Sequence, residues 1–145
     1  MRIVVVAVGR LKDRPLREAL DAYLGRLRRY VPCDEIEIAD GPRDKLEPAV
    51  AKATAGATVI ALEVNGRALS SEAFARELER RASRGKGIVA FLIGGADGLP
   101  AAISRATDEQ WSLSTLTFPH RLARLVLVEQ LYRAMTILRG EPYGH

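Results

Sequence analysis

Phe91-Leu92-Ile93-Gly94-Gly95-Ala96-Asp97-Gly98-Leu99-Pro100 is the stretch on which the reading of the fold turns. An apolar run long enough for a buried strand ends in glycines, and a proline then opens a short helical pattern over 100–107. Glycine lets a chain turn tightly and lets another group approach its backbone. In open α/β sheets such strand ends line the ligand crevice. The spacing is not that of a dinucleotide fingerprint, and no P-loop lysine follows.

The same alternation extends outward in both directions. Short β-rich runs at 2–8, 35–39, 58–64 and 87–93, with a further short strand near 113–116, alternate with helical patterns. Leu16, Leu20, Tyr23, Leu24 and Leu27 recur at helical spacing, as do Phe74, Leu78 and Ala82, and 44–55 gives a weaker helix. This is the pattern of a single α/β domain with a mainly parallel sheet, and 145 residues is one domain's length. The run Ile3-Val4-Val5-Val6-Ala7-Val8 reads as a buried strand and not as a signal peptide.

Over 121–139 the apolar residues Leu122, Leu125, Val126, Leu127, Val128, Leu131, Tyr132, Met135, Ile137 and Leu138 leave almost no wide polar face. Arg124, Glu129 and Arg133 interrupt the run, so it is not a membrane span. A helix apolar nearly all round must be covered on more than one side. The sheet covers one, and a second copy of the chain is the economical cover for the other; burial wholly within one chain is the alternative.

The net charge of +4, with eighteen arginines against four lysines, favours a polyanionic partner only weakly. Cys33 is the sole cysteine, which excludes an internal disulfide and fits a reducing, cytoplasmic setting. His120 and His145 are too far apart for metal-ligand spacing, and no metal is expected.

Two further segments can carry chemistry. In Trp111-Ser112-Leu113-Ser114-Thr115-Leu116-Thr117-Phe118-Pro119-His120, hydroxyls alternate with apolar side chains before a helix start. Such a loop can read an adenine edge with backbone groups while Leu116 and Phe118 pack on its faces; an edge strand is the plain alternative. The tail Arg139-Gly140-Glu141-Pro142-Tyr143-Gly144-His145 follows a helix stop with an aromatic and a histidine.

Taken in order, Val6-Ala7-Val8-Gly9-Arg10-x-Lys12, Leu62-Glu63-Val64-x-Gly66, Ile93-Gly94-Gly95-x-x-Gly98, Ser112-Leu113-Ser114-x-Leu116-Thr117-x-Pro119-His120, Glu129-Gln130-Leu131-Tyr132-Arg133-Ala134 and Pro142-Tyr143 resemble the RlmH family across nearly the whole chain. These are small SPOUT-class enzymes that methylate N3 of a pseudouridine in 23S ribosomal RNA. The resemblance implies one domain over 1–145 with a C-terminal deep trefoil knot, its knot and cofactor loops spanning about 90–140. It implies S-adenosylmethionine as methyl donor, held by Leu62, Gly94, Gly95, Ser114, Thr115, Leu116, Thr117, Phe118 and Pro119. It also implies a cytoplasmic homodimer acting on the ribosome, with no membrane, in which each tail completes the partner's site.

The reaction aligns a nucleophile with a methyl carbon and must handle the proton on N3. His145 is a chemically sensible base, Tyr143 can stack on or bind the nucleobase, and Arg133 or Arg139 can stabilise an anion. In the family pattern the tail histidine directly follows Pro-Tyr and precedes a basic residue; here Gly144 stands between Tyr143 and His145. Arg10, Lys12, His120, Arg121 and Arg124, with Arg43, are the candidate RNA contacts. The competing reading is a non-catalytic knotted module that binds RNA or a nucleotide.

Overall fold

The computed structural model describes residues 1–143. Its elements run β1 (Arg2–Val8), α1 (Arg14–Leu27), β2 (Cys33–Ile38), α2 (Arg43–Ala53), β3 (Thr58–Ala68), α3 (Ser71–Ala82), β4 (Ile88–Ile93), α4 (Ala101–Arg105), β5 (Glu109–Ser112) and α5 (His120–Arg139). The five strands form one parallel sheet in the order β2-β1-β4-β3-β5.

Alternation along the strands divides the core in two. Ile3, Val5, Val89 and Phe91 face α1, α3 and α5, while Val4, Val6, Ala90 and Leu92 face α2 and α4. Sheets covered on both faces give near-continuous apolar strands, as in Ile3–Val8 and Val89–Ile93. Helix starts follow local chemistry. The Asp13 carboxylate accepts the Leu16 N–H at 3.0 Å, and the Ser70 hydroxyl accepts that of Ala73 at 3.1 Å.

β2 starts two residues earlier than the sequence reading, at Cys33, and two strands differ by more. The last one is Glu109–Ser112, and 113–119 is loop. Trp111 decides this: its ring is edge-on to Phe74 and Phe91 at 5.3 and 5.9 Å, which locks that register into the core. β3 runs past Val64 to Ala68. Leu62 and Arg67 both pair with Trp111, so 63–66 leave the ladder as an excursion. A Cβ on Gly66 would stand 2.8 Å from the backbone of Gln110 and Trp111, so only glycine fits where this excursion crosses β5.

α5 buries Arg124, Leu127, Val128, Leu131, Ala134, Met135 and Thr136. Leu125, Val126, Ile137 and Leu138 are half-buried and Leu122 is exposed. Among the described residues, no helix is long and apolar enough to cross a membrane.

Candidate active site

The middle of β3 just past its ladder with β4, the carboxyl end of β4, the loop that follows β5 and the first turn of α5 surround a cleft of about 610 Å³. Ligands of open α/β sheets bind at this edge. Its walls are largely backbone and apolar side chains. Leu62 and Val64 come from β3, Gly94, Gly95 and Leu99 from the loop after β4, and Ser114, Leu116, Thr117, Phe118 and Pro119 from the loop after β5. The structure thus brings together all the residues expected at the cofactor pocket except Thr115, which is exposed and not on its wall. Glu63, Val64, Leu99 and Ala123 line the cleft without having been expected there. His120, expected to touch RNA, lines it too.

The two neighbouring glycines have different reasons. A Cβ on Gly94 would meet the backbone of Gly98 and Leu99 at 2.6 Å, so glycine there lets the loop cross itself. A Cβ on Gly95 would meet the Asp40 carboxylate at 3.0 Å and Val8 at 3.4 Å, neither of which lines the cleft. The turn closes through the Gly98 N–H on the Gly95 carbonyl at 3.0 Å, and Gly98 takes φ +75°. On the opposite wall the Ser112 hydroxyl lies 2.8 Å from the Val64 carbonyl, and the Ser114 hydroxyl accepts the Leu116 N–H at 2.9 Å. Leu116 is 69% exposed at the mouth.

The other site candidates lie further along α5. The Glu129 carboxylate accepts from the Arg133 guanidinium at 2.8 Å and from the Tyr143 phenol at 2.7 Å, while Arg133 stacks over the Tyr143 ring at 4.0 Å. Burial and the adjacent Glu129 carboxylate raise the Tyr143 phenol above its ordinary value, so it remains protonated and acts as a hydrogen-bond donor. His145 lies outside the described residues.

Arg10, Lys12 and Arg121 are exposed, and none has an acidic partner among the described residues. Arg124 requires a correction. It is 1% exposed and donates to Glu35 at 2.7 Å and Glu37 at 2.6 Å, so it offers no surface to RNA. The pleat explains this, because Glu35 and Glu37 follow Cys33 on the face that α1 and α5 cover. Arg43, also a candidate, is paired with Glu47 at 2.7 Å. No group of residues able to hold a metal ion occurs among the described residues.

A parallel α/β sheet with a backbone-lined cleft at its carboxyl edge, closed by glycine loops, is the architecture of a protein that binds a small organic ligand there. The sequence model described as "Predicted SPOUT methyltransferase" matches residues 1–145, and the chain belongs to that family. Similar proteins include the "Ribosomal RNA large subunit methyltransferase H" of Sorangium cellulosum (strain So ce56), 72% identical over the whole of both chains. The protein of that name from Anaeromyxobacter dehalogenans (strain 2CP-1 / ATCC BAA-258) is 46% identical over 99% of each chain. Among solved structures, TrmJ from Z. mobilis ZM4 superposes with a TM-score of 0.60 at 14% identity, over 100% of this chain and 73% of its own. A probable methyltransferase from Bordetella pertussis Tohama I gives 0.61 at 11%, over 92% and 96%. These two share the fold.

Proposed function

We propose that the chain transfers a methyl group from S-adenosylmethionine to N3 of a pseudouridine in 23S ribosomal RNA, on the assembled ribosome and in the cytoplasm. The observation that carries this is the cleft built from Leu62, Gly94, Gly95 and the 114–119 loop, in a chain 72% identical over its full length to a protein named for ribosomal RNA methylation.

The cleft fits the cofactor. Its volume is within the roughly 300–1,000 Å³ of small-molecule sites, and its lining of backbone and aliphatic side chains suits an adenosine. When bound, S-adenosylmethionine supplies an electrophilic methyl carbon on a sulfonium. Phe118 and Leu116 would hold the adenine, and the loop backbone would read its edge. The 1–145 domain is threaded as a knot over about 90–140, a reading supported by its membership of the SPOUT family.

The pseudouridine must lose its N3 proton. Arg133 stabilises the resulting anion, Tyr143 stacks on the base, and His145 takes the proton. Arg133 lies thirteen residues beyond His120, about 20 Å along the helix at 1.5 Å per residue. Glu129, which holds Tyr143, lies about 14 Å along it. These groups therefore serve the cleft of a second copy, and the half-buried apolar residues of α5, with exposed Leu122, form the homodimer contact. Arg10, Lys12, His120 and Arg121 bind RNA phosphates.

Complementation tests this arrangement. Gly94→Ala should abolish cofactor binding in calorimetry while circular dichroism is unchanged, and Arg133→Ala should bind cofactor without transferring methyl. Mixed dimers of these two inactive variants should regain activity, because one of their two sites is intact. Undiminished binding by Gly94→Ala would refute the pocket, and inactive mixed dimers would refute the shared site.

A further inference from the structure

We infer that Glu37 and Arg124 are positioning residues for RNA: they fix the loop that carries Arg10 and Lys12 at a set distance from the cofactor cleft. This rests on the reading of Arg10 and Lys12 as phosphate contacts.

The connection runs through one carboxylate oxygen. Glu37 Oε2 accepts the Leu11 N–H at 2.8 Å and the Arg124 Nη2 at 2.6 Å. Leu11 sits between the two exposed cations and is itself buried, so its N–H and side chain pin the backbone from which both project. Arg124 follows Ala123, which lines the cleft, and its Nη1 also approaches the Gly9 carbonyl at 3.4 Å. The path from the cofactor wall to the cationic loop thus runs from Ala123 to its neighbour Arg124, along that side chain, and through two hydrogen bonds on one Glu37 oxygen to Leu11. Glu35, shared between Arg17 at 2.6 Å and Arg124 at 2.7 Å, holds α1 and α5 on either side of the carboxylates.

Stability alone does not account for these residues. Apolar side chains of similar volume often stabilise a core as well as a buried ion pair does. Moreover, Arg124 Nε is buried with no hydrogen-bond partner among the described residues. The guanidinium is oriented for the two carboxylates and Gly9, at the expense of its own third edge. Burial pushes the Glu37 carboxyl up, but the Leu11 N–H and the Arg124 guanidinium outweigh it and hold the group below the ordinary carboxylate range. It is therefore a charged acceptor wherever ribosomes are intact.

Steady-state methyl transfer to ribosomes separates positioning from mere support. Glu37→Gln keeps an acceptor for Leu11 but loses the charge facing Arg124. It should raise KM for ribosomes on the order of tenfold, as expected for one lost charge-assisted bond, with kcat and KM for S-adenosylmethionine nearly unchanged. Trypsin should cut after Arg10 and Lys12 faster than in the parent protein. In an Arg10→Ala/Lys12→Ala background, Glu37→Gln should raise ribosome KM no further. Arg124→Lys, which keeps the charge but reaches fewer partners, should fall between parent and Glu37→Gln and covers the case in which the latter does not fold. If Arg10→Ala/Lys12→Ala raises ribosome KM and Glu37→Gln does not, the positioning role is wrong and the RNA reading stands. If both KM values rise together with a loss of kcat, the role is structural only. If Arg10→Ala/Lys12→Ala leaves ribosome KM untouched, the loop reading fails and this inference falls with it.

Discussion

Two buried arginines each hold a pair of carboxylates, and they are built differently. Arg81 is saturated: its Nε and Nη2 grip Glu109 at 2.6 and 2.7 Å, its Nη1 donates to Glu77, and its guanidinium lies 5.4 Å from the Trp111 ring centroid. Glu109 also accepts the Trp111 indole N–H at 3.2 Å. This cluster ties α3 to β5 and the aromatic core, and no residue of it lines the cleft. Arg124 is under-satisfied among the described residues, stands beside the cleft wall and reaches a loop bearing two exposed cations. Completeness of hydrogen bonding therefore separates a cluster that only holds the fold from one that also sets the geometry of a site.

The largest effect expected on this contrast is on stability. Arg81→Met removes three close donor contacts, leaving Glu77 only the exposed Arg67 and Arg80 and Glu109 only the Trp111 indole N–H, and should lower unfolding free energy by about 3 kcal/mol in urea titration. Ribosome KM should stay at the parent value. A shifted KM would erase the distinction. Arg124→Met should cost less, about 2 kcal/mol, because Glu35 keeps Arg17 and Glu37 keeps the Leu11 N–H. This variant should nonetheless raise ribosome KM, so the smaller stability loss accompanies the larger kinetic one.

Acid should reveal both clusters together. The Arg81 guanidinium holds Glu109 below its ordinary 4.5, and it outweighs burial to do the same for Glu77; Glu37 is lowered as well. Groups with depressed folded values stabilise above the ordinary value and lose that contribution as pH falls through 4.5 toward the folded values. Thermal midpoints should be flat near neutrality and fall below about pH 4.5. Arg81→Met should flatten that acid limb more than Arg124→Met, since it releases two of the three carboxylates. The smallest effect belongs to the exposed pair Arg14–Glu18 at 3.1 Å. Arg14→Ala should change stability by less than about 0.5 kcal/mol and leave transfer unaltered.

Much of this was legible in the sequence, for identifiable reasons. β1 and β4 are apolar on both faces and could only be buried parallel strands, and Gly94 and Gly95 marked the strand end that lines the cleft. β5 was not legible, because Ser112-Leu113-Ser114 and Leu116-Thr117-Phe118 imitate alternation more convincingly than Glu109-Gln110-Trp111-Ser112. Its place depends on Trp111 meeting Phe74 and Phe91, a contact distant in sequence. Arg124 was misread as an RNA contact because a helix pattern does not show what faces each position. The signal lay in β2, where alternation puts Glu35 and Glu37 on the covered face and so demands a buried cation. The excursion at 63–66 had a trace in Gly66, whose need is clear only against the β5 backbone.

The central claim is tested most directly by transfer of labelled methyl from S-adenosylmethionine to purified ribosomes, with and without pseudouridine in the large-subunit RNA. Label should enter the 23S RNA of pseudouridine-containing particles alone. Equal labelling of both preparations would contradict the assigned nucleobase, and cofactor binding without any transfer would contradict the assignment of this chain as an enzyme acting on ribosomes.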